Sequence, residues 1–78
     1  MSRIVVYTTL LCPYGIRARV LLASRGLAFE VIDVTRDIAM RKWLRDKTGR
    51  TSVPQIFVDD NPIGGFHELR KLDRAGLL

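Results

Sequence analysis

The only cysteine of the chain, Cys12, stands directly before Pro13 and a helix-forming segment. Proline is favoured at the first position of a helix, so we expect Cys12 at a helix N-terminus. There the unpaired backbone N–H groups and the helix dipole favour the thiolate, which is the reactive form of cysteine. Arg17 and Arg19 follow within the next turns and are expected to add positive field. The alternative is a buried and inert cysteine, and the position before Pro13 argues against it.

Two further segments could bind a ligand through their backbone. Pro54 directly precedes a predicted strand, and a cis bond before it would leave the N–H and C=O of Val53 free to pair with an extended peptide. The alternative is an ordinary proline that starts a strand. Gly64 and Gly65 precede a predicted helix, where a ligand could approach the backbone and the first N–H groups could hold an anion. A plain turn is the alternative for this pair.

Seven predicted elements in the order βαβαββα must position these segments. The predicted strands cover residues 4–7, 29–34 and 55–58, with a short peripheral strand beginning at 62–63 after a turn at 59–61. The predicted helices cover residues 13–25, 37–47 and 66–73. A strand, a helix and a second strand form a βαβ unit, which predicts parallel pairing of the first two strands.

The buried faces of the first two helices are predicted from the spacing of their apolar residues. In the first helix these are Ile16, Val20, Ala23 and, just beyond its end at Gly26, Leu27. In the second helix, which Asp37 opens and Gly49 ends, they are Met40, Trp43 and Leu44.

The tetrad Cys12-Pro13-Tyr14-Gly15, followed by the segment 51–55 and then by Gly64-Gly65, resembles the glutaredoxin family. The resemblance covers essentially the whole chain, 1–78, as a single domain. It implies a thioredoxin-like α/β fold with a central four-stranded mixed sheet and helices on both faces.

The resemblance also implies a glutathione site around the cysteine. Cys12 matches the nucleophile, and Tyr14 matches the aromatic residue beside it. Ser52, Val53 and Pro54 match the turn that binds the cysteinyl part of glutathione, in which the Val53 backbone pairs with the ligand and Pro54 is the cis-proline.

Both carboxylates of glutathione have matching positions as well. Gly65, Phe66 and His67 match the segment whose helix N-terminus receives the γ-glutamyl carboxylate. Arg41, on the second helix, matches a position that often holds the glycyl carboxylate, and a solvated surface arginine is its alternative.

The sequence departs from the family at four positions. Gly15 replaces the second cysteine of the dithiol members, so no internal disulfide can form and turnover must use one thiol. Thr9 stands where many members have a lysine near the thiol. His67 and Glu68 stand where the family usually has Asp, Ser or Thr, residues that cap the helix or contact the γ-glutamyl amine, and His67 is a poorer cap.

The resemblance predicts a glutathione-dependent thiol–disulfide oxidoreductase, with glutathione as co-substrate and glutathionylated or disulfide-containing proteins as partners. The first alternative is an iron–sulfur carrier in which two chains and two glutathione thiols supply four sulfur ligands. The second is a glutathione-binding module without turnover. No resident metal is predicted, because His67 has no second ligand type at metal spacing.

Composition and charge limit the other classes of function. Lysine and arginine number 13 against 8 acidic residues, but they are scattered without a long run, so a nucleic-acid partner is not predicted. The apolar runs are too short to span a bilayer. A single cysteine and the absence of a visible signal peptide favour a reducing cytoplasm, and a monomer is expected.

Overall fold

The computed structural model describes residues 2–78, so Met1, which the predicted domain includes, lies outside the described part. Its elements are β1 (Ile4–Thr8), α1 (Pro13–Ser24), β2 (Glu30–Asp33), α2 (Ile38–Thr48), β3 (Gln55–Val58), β4 (Asn61–Gly64) and α3 (Phe66–Arg74). The predicted order βαβαββα is confirmed. Asn61, expected in the turn, is the first residue of β4 instead.

The four strands form one mixed sheet in the order β2-β1-β3-β4. β1 runs parallel to β2 and antiparallel to β3, and β4 pairs with β3 at the edge, with an irregular register. This is the four-stranded thioredoxin-like sheet that the resemblance implied. Because β1 is a central strand, the loop after it places Cys12 beyond the C-terminal end of the central part of the sheet.

Alternation along β1 divides the core between the two faces of the sheet. Ile4 and Val6 belong to one cluster, which also contains Ala18 and Leu22 of α1 and Leu69 of α3. The other cluster consists of Val5, Val34, Leu44 and Phe57. Helices therefore cover both faces, with α1 and α3 on one and α2 on the other.

The predicted buried face of α1 is wrong. Ile16 is 41% exposed and Val20 62% exposed, and Ala23 is exposed as well, while Leu27 packs against the core. The residues that α1 buries are Gly15, Ala18 and Leu22. Apolar residues surround most of this helix, so their spacing fits more than one face. The small residues at 15 and 18 determine which face is buried, because they let the helix approach β1 closely.

Residues at the ends of the helices fix where these helices start and stop, as predicted. Asp37 caps α2 by accepting a hydrogen bond from the Met40 N–H at 2.9 Å, and Gly49 ends this helix in the left-handed region. Gly26, after α1, also has a positive φ. None of the helices within residues 2–78 has the length and apolar character needed to cross a membrane.

Candidate active site

Cys12 is the N-cap residue of α1, as predicted, and its side chain is half-buried. Its Sγ accepts a hydrogen bond from the Gly15 N–H at 3.4 Å. Pro13 occupies the first helical position, where its missing N–H leaves no donor unpaired. The sulfur thus faces a backbone N–H and the positive end of the helix dipole, which both stabilise negative charge on it.

The close approach of α1 to β1 depends on Gly15. A Cβ at this position would overlap the Thr8 hydroxyl oxygen and lie only 3.1 Å from the Thr8 Cβ. Thr8 is itself buried at the end of β1, 1% exposed. The position that would carry a second thiol is therefore filled by the side chain of Thr8, a contact that sequence reasoning missed.

The Val53–Pro54 peptide bond is cis, as predicted. The Val53 carbonyl lies 3.5 Å from the Cys12 Sγ and accepts a hydrogen bond from the thiol. Within residues 2–78 the Val53 N–H has no hydrogen-bond partner. The edge of this turn therefore presents one backbone donor and one backbone acceptor beside the sulfur, which is the pattern that an extended peptide needs.

The side chain of Gln55 holds this turn by hydrogen bonds to Ser52. Gln55 is 1% exposed, and its Nε2 donates to the Ser52 carbonyl at 2.9 Å, with the Ser52 hydroxyl at 3.5 Å. Sequence reasoning placed Gln55 in the segment 51–55 and at the start of β3, but assigned no role to its side chain. A polar residue at a buried strand position is the signal that could have found it.

The start of α3 lies against the same turn. A Cβ on Gly65 would approach the Pro54 carbonyl oxygen to 3.2 Å, so the glycine allows this approach. The Tyr14 ring lies 6.1 Å from the Phe66 ring and 5.6 Å from the His67 ring. The structure thus brings together three of the predicted site residues, from α1 and α3.

Three charged residues, Glu68, Arg50 and Arg17, have contacts near the start of α3 and the Tyr14 ring. The Glu68 carboxylate accepts hydrogen bonds from Arg50 at 2.7 Å and from the Gly65 N–H at 3.2 Å. The hydrogen bond from Arg50 holds the pKa of the Glu68 carboxyl below its ordinary value, although burial acts in the opposite direction. Arg17, expected to add field at the thiol, lies with its guanidinium 5.2 Å from the centre of the Tyr14 ring.

Arg41 lies on the exposed side of α2 and lines a cavity of about 350 Å³ together with Ile38, Lys42, Arg45 and Thr51. Its Nη1 donates to the Val34 carbonyl at 3.3 Å. The guanidinium is therefore tethered just beyond the end of β2, and the cavity that it lines extends to Thr51, where the cis-proline turn begins. Within the described part of the chain, no group of three or more His, Cys, Asp or Glu side chains is placed to hold a metal ion.

Comparisons with known proteins identify the family to which the chain is similar. The family model described as Glutaredoxin matches residues 4–63. Glutaredoxin 3 of Escherichia coli K12 is 41% identical over 76 residues, covering 97% of this chain and 92% of the relative. A glutaredoxin of Pseudomonas aeruginosa is 42% identical over 78 residues, covering 100% and 93%.

A solved structure is similar as well. The crystal structure of a buckwheat glutaredoxin–glutathione complex superposes with a TM-score of 0.91 at 26% identity, covering 99% of this chain and 73% of that one. The family model ends at residue 63, so the similarity of the Gly64–Gly65 segment and α3 rests on the whole-chain relatives and on this superposition.

Proposed function

The chain belongs to the glutaredoxin family, and we propose that it removes glutathionyl groups from mixed disulfides by a monothiol mechanism. The observation that carries this proposal is the position of Cys12. Its sulfur is the only thiol of the chain, and it lies between a helix N–H and the backbone of the cis-proline turn.

The first step is an attack by the Cys12 thiolate on the glutathione-side sulfur of a mixed disulfide. The Cys12–glutathione disulfide forms, the bond to the substrate sulfur breaks, and the substrate leaves as a thiolate that takes a proton from water. The helix N-terminus stabilises the attacking thiolate, and the pocket aligns the three sulfurs.

The second step regenerates the enzyme. A second glutathione, as thiolate, attacks the glutathionyl sulfur of the adduct, which releases oxidised glutathione and the Cys12 thiolate. Two glutathione-derived sulfurs are joined in the product disulfide, and the substrate sulfur is reduced from a disulfide to a thiol, so the electrons balance without a metal or nucleotide.

The residues around the sulfur can bind each part of glutathione. The free N–H and the C=O of Val53 would pair with the cysteinyl backbone. The N-terminus of α3, beside Phe66 and His67, would receive the γ-glutamyl carboxylate. Arg41, which lines one cavity with Thr51, would hold the glycyl carboxylate after exchanging its bond to the Val34 carbonyl.

We further propose that the chain acts as a single-domain monomer in the cytoplasm, on glutathionylated proteins. Its one cysteine is free in the structure, and a reducing compartment keeps such a thiol available. Since Gly15 supplies no second thiol, intramolecular protein disulfides would be poor substrates.

A paired assay tests the proposal. Wild type and Cys12→Ser are compared on a glutathionylated peptide and on a protein with one intramolecular disulfide, both with glutathione and a regenerating system. We expect the wild type to turn over the first substrate far faster than the second, and Cys12→Ser to be inactive on both. Turnover by Cys12→Ser, or efficient reduction of the intramolecular disulfide by the wild type, would contradict the monothiol mechanism.

A further inference from the structure

An ion pair joins the two backbone segments to which we assign glutathione. Arg50 lies just before the cis-proline turn, and Glu68 lies in the first turn of α3. The Arg50 Nη1 is 2.7 Å from the Glu68 Oε1, and the Glu68 Oε2 accepts from the Gly65 N–H at 3.2 Å. Each oxygen of this carboxylate therefore already has one partner within the protein.

Glu68 is also the only acidic residue in the first turn of α3. The nearest neighbour in sequence, His67, is exposed and cannot supply negative charge. The other seven acids of the chain lie on other elements, in the segments between them or at the far end of α3: Glu30, Asp33, Asp37, Asp46, Asp59, Asp60 and Asp73. Asp73 is paired with Arg25 at 2.7 Å.

The γ-glutamyl end of glutathione carries two opposite charges, a carboxylate and an ammonium. The N–H groups at the start of α3 favour the carboxylate. The ammonium would need a carboxylate, but Glu68 already holds a guanidinium, and the net charge of that pair is zero. A second cation gains little from a neutral pair, and Arg50 and the helix N-terminus both repel it.

We propose that this site recognises the γ-glutamyl carboxylate and not the ammonium, and that Arg50 sets this specificity by neutralising Glu68. The proposal rests on the glutathione site of the proposed function. The class of ligand it predicts is wider than glutathione: γ-glutamyl thiols whose amine is acylated are accepted as well as those whose amine is free.

Binding of two unreactive ligands tests the specificity without requiring turnover. S-methylglutathione and its N-acetylated counterpart are titrated into the reduced protein and followed by NMR. For the wild type we expect dissociation constants within about twofold, because an ion pair that does not form contributes no free energy.

Arg50→Gln should create the missing preference. It leaves the Glu68 carboxylate without its guanidinium, so the free-amine ligand should bind about threefold to fivefold tighter than the acetylated one, the range expected for an exposed ion pair. The double variant Arg50→Gln with Glu68→Gln should lose the preference again, which would identify Glu68 as the group that attracts the ammonium.

Arg25→Gln is the matched control, since it breaks the ion pair with Asp73 at the opposite end of the same helix. It should leave the ratio of the two affinities at the wild-type value. Thermal unfolding of each variant checks that the fold is retained.

Two results would overturn the inference: a preference of the wild type for the free amine of about threefold or more, which is the size expected only for Arg50→Gln, or an unchanged ratio in Arg50→Gln. Failure of the proposed function looks different. If the wild type binds both ligands equally but does not turn over glutathionylated peptide, only the enzyme assignment is contradicted. If it turns over the peptide normally but strongly prefers the free-amine ligand, only this inference is contradicted.

Discussion

Gly15 packs against Thr8 so closely that the two positions should be energetically coupled. A Cβ at position 15 would occupy the place of the Thr8 hydroxyl. That hydroxyl donates to the Thr9 carbonyl at 3.2 Å, and Thr8 is 1% exposed, so its side chain has no open space into which to turn. Gly15→Ala should therefore destabilise the protein.

The magnitude follows from opposing contributions. Replacing glycine by alanine inside a helix is favourable by about 1 kcal/mol. Loss of the Thr8 hydrogen bond costs about 1 kcal/mol, and forcing extra volume into a packed site costs about 1–3 kcal/mol. We expect Gly15→Ala to lower the free energy of unfolding by about 2 kcal/mol, near the middle of this range.

A double-mutant cycle measures this coupling. Urea unfolding is followed for the wild type, Gly15→Ala, Thr8→Ala and the double variant. In the Thr8→Ala background the hydroxyl is absent and only the 3.1 Å approach to the Cβ at position 8 remains, so Gly15→Ala should destabilise the protein much less than it does in the wild type. If Gly15→Ala is as stable as the wild type and the two substitutions are additive, the steric account of Gly15 is refuted.

The same contact affects the conversion to a dithiol enzyme. Position 15 lies one helical turn from Cys12, so Gly15→Cys brings a second thiol near the first. We expect Gly15→Cys to gain some reduction of intramolecular disulfides, and to gain more of it together with Thr8→Ala. The assay compares both variants on one disulfide-containing protein, and equal gains would show that Thr8 does not restrict the second thiol.

Three further predictions concern the turn, the core and one ion pair. Gln55→Leu removes the donor to the Ser52 carbonyl, so steady-state kinetics should show KM for a glutathionylated peptide raised about fivefold with kcat unchanged. A fall in kcat alone would contradict a binding role for this residue. Leu22→Ala should lower the free energy of unfolding by about 2–5 kcal/mol in urea, because Leu22 is fully buried, and a loss below 1 kcal/mol would contradict its place in the core. The hydrogen bond from Arg25 lowers the pKa of the Asp73 carboxyl below its unfolded value of about 3.9, so the stabilisation is present above that pH and is lost as the pH falls through the folded value. The stability difference between wild type and Arg25→Gln should therefore shrink below about pH 4, and a difference that grows there would have the wrong sign.

Local signals explain why most of the fold could be predicted from the sequence. Pro13 marks the start of α1, Asp37 caps α2 and Gly49 ends it, and each acts through its own backbone geometry or a neighbouring N–H. The N-cap position of Cys12 followed from the same kind of signal.

The buried face of α1 could not be predicted in this way. Ile16 and Val20 are as apolar as Leu22, and spacing alone does not decide which of them the sheet covers. The decision depends on how closely the helix approaches Thr8, and only small residues at the contact permit that approach. A pattern that counts large apolar residues overlooks it.

Two contacts that support the site were also missed, because each depends on the folded structure and not on a local sequence pattern. Arg50 and Glu68 are 18 positions apart, and nothing in the sequence at either position indicates that the two side chains form an ion pair. The Gln55–Ser52 bond spans only three positions, but it depends on the turn that the cis-proline forms. Sequence reasoning found the groups that would react and missed those that hold the site in shape.

The most direct test of the account is to capture the reaction intermediate. Reduced wild type is mixed with one equivalent of a glutathionylated peptide without added glutathione, quenched in acid and examined by intact and peptide mass spectrometry. We expect a single glutathionyl group on Cys12, release of the peptide as a free thiol, and loss of the adduct when glutathione is added. A peptide attached to Cys12 in place of the glutathionyl group, or turnover with no adduct on Cys12, would contradict it.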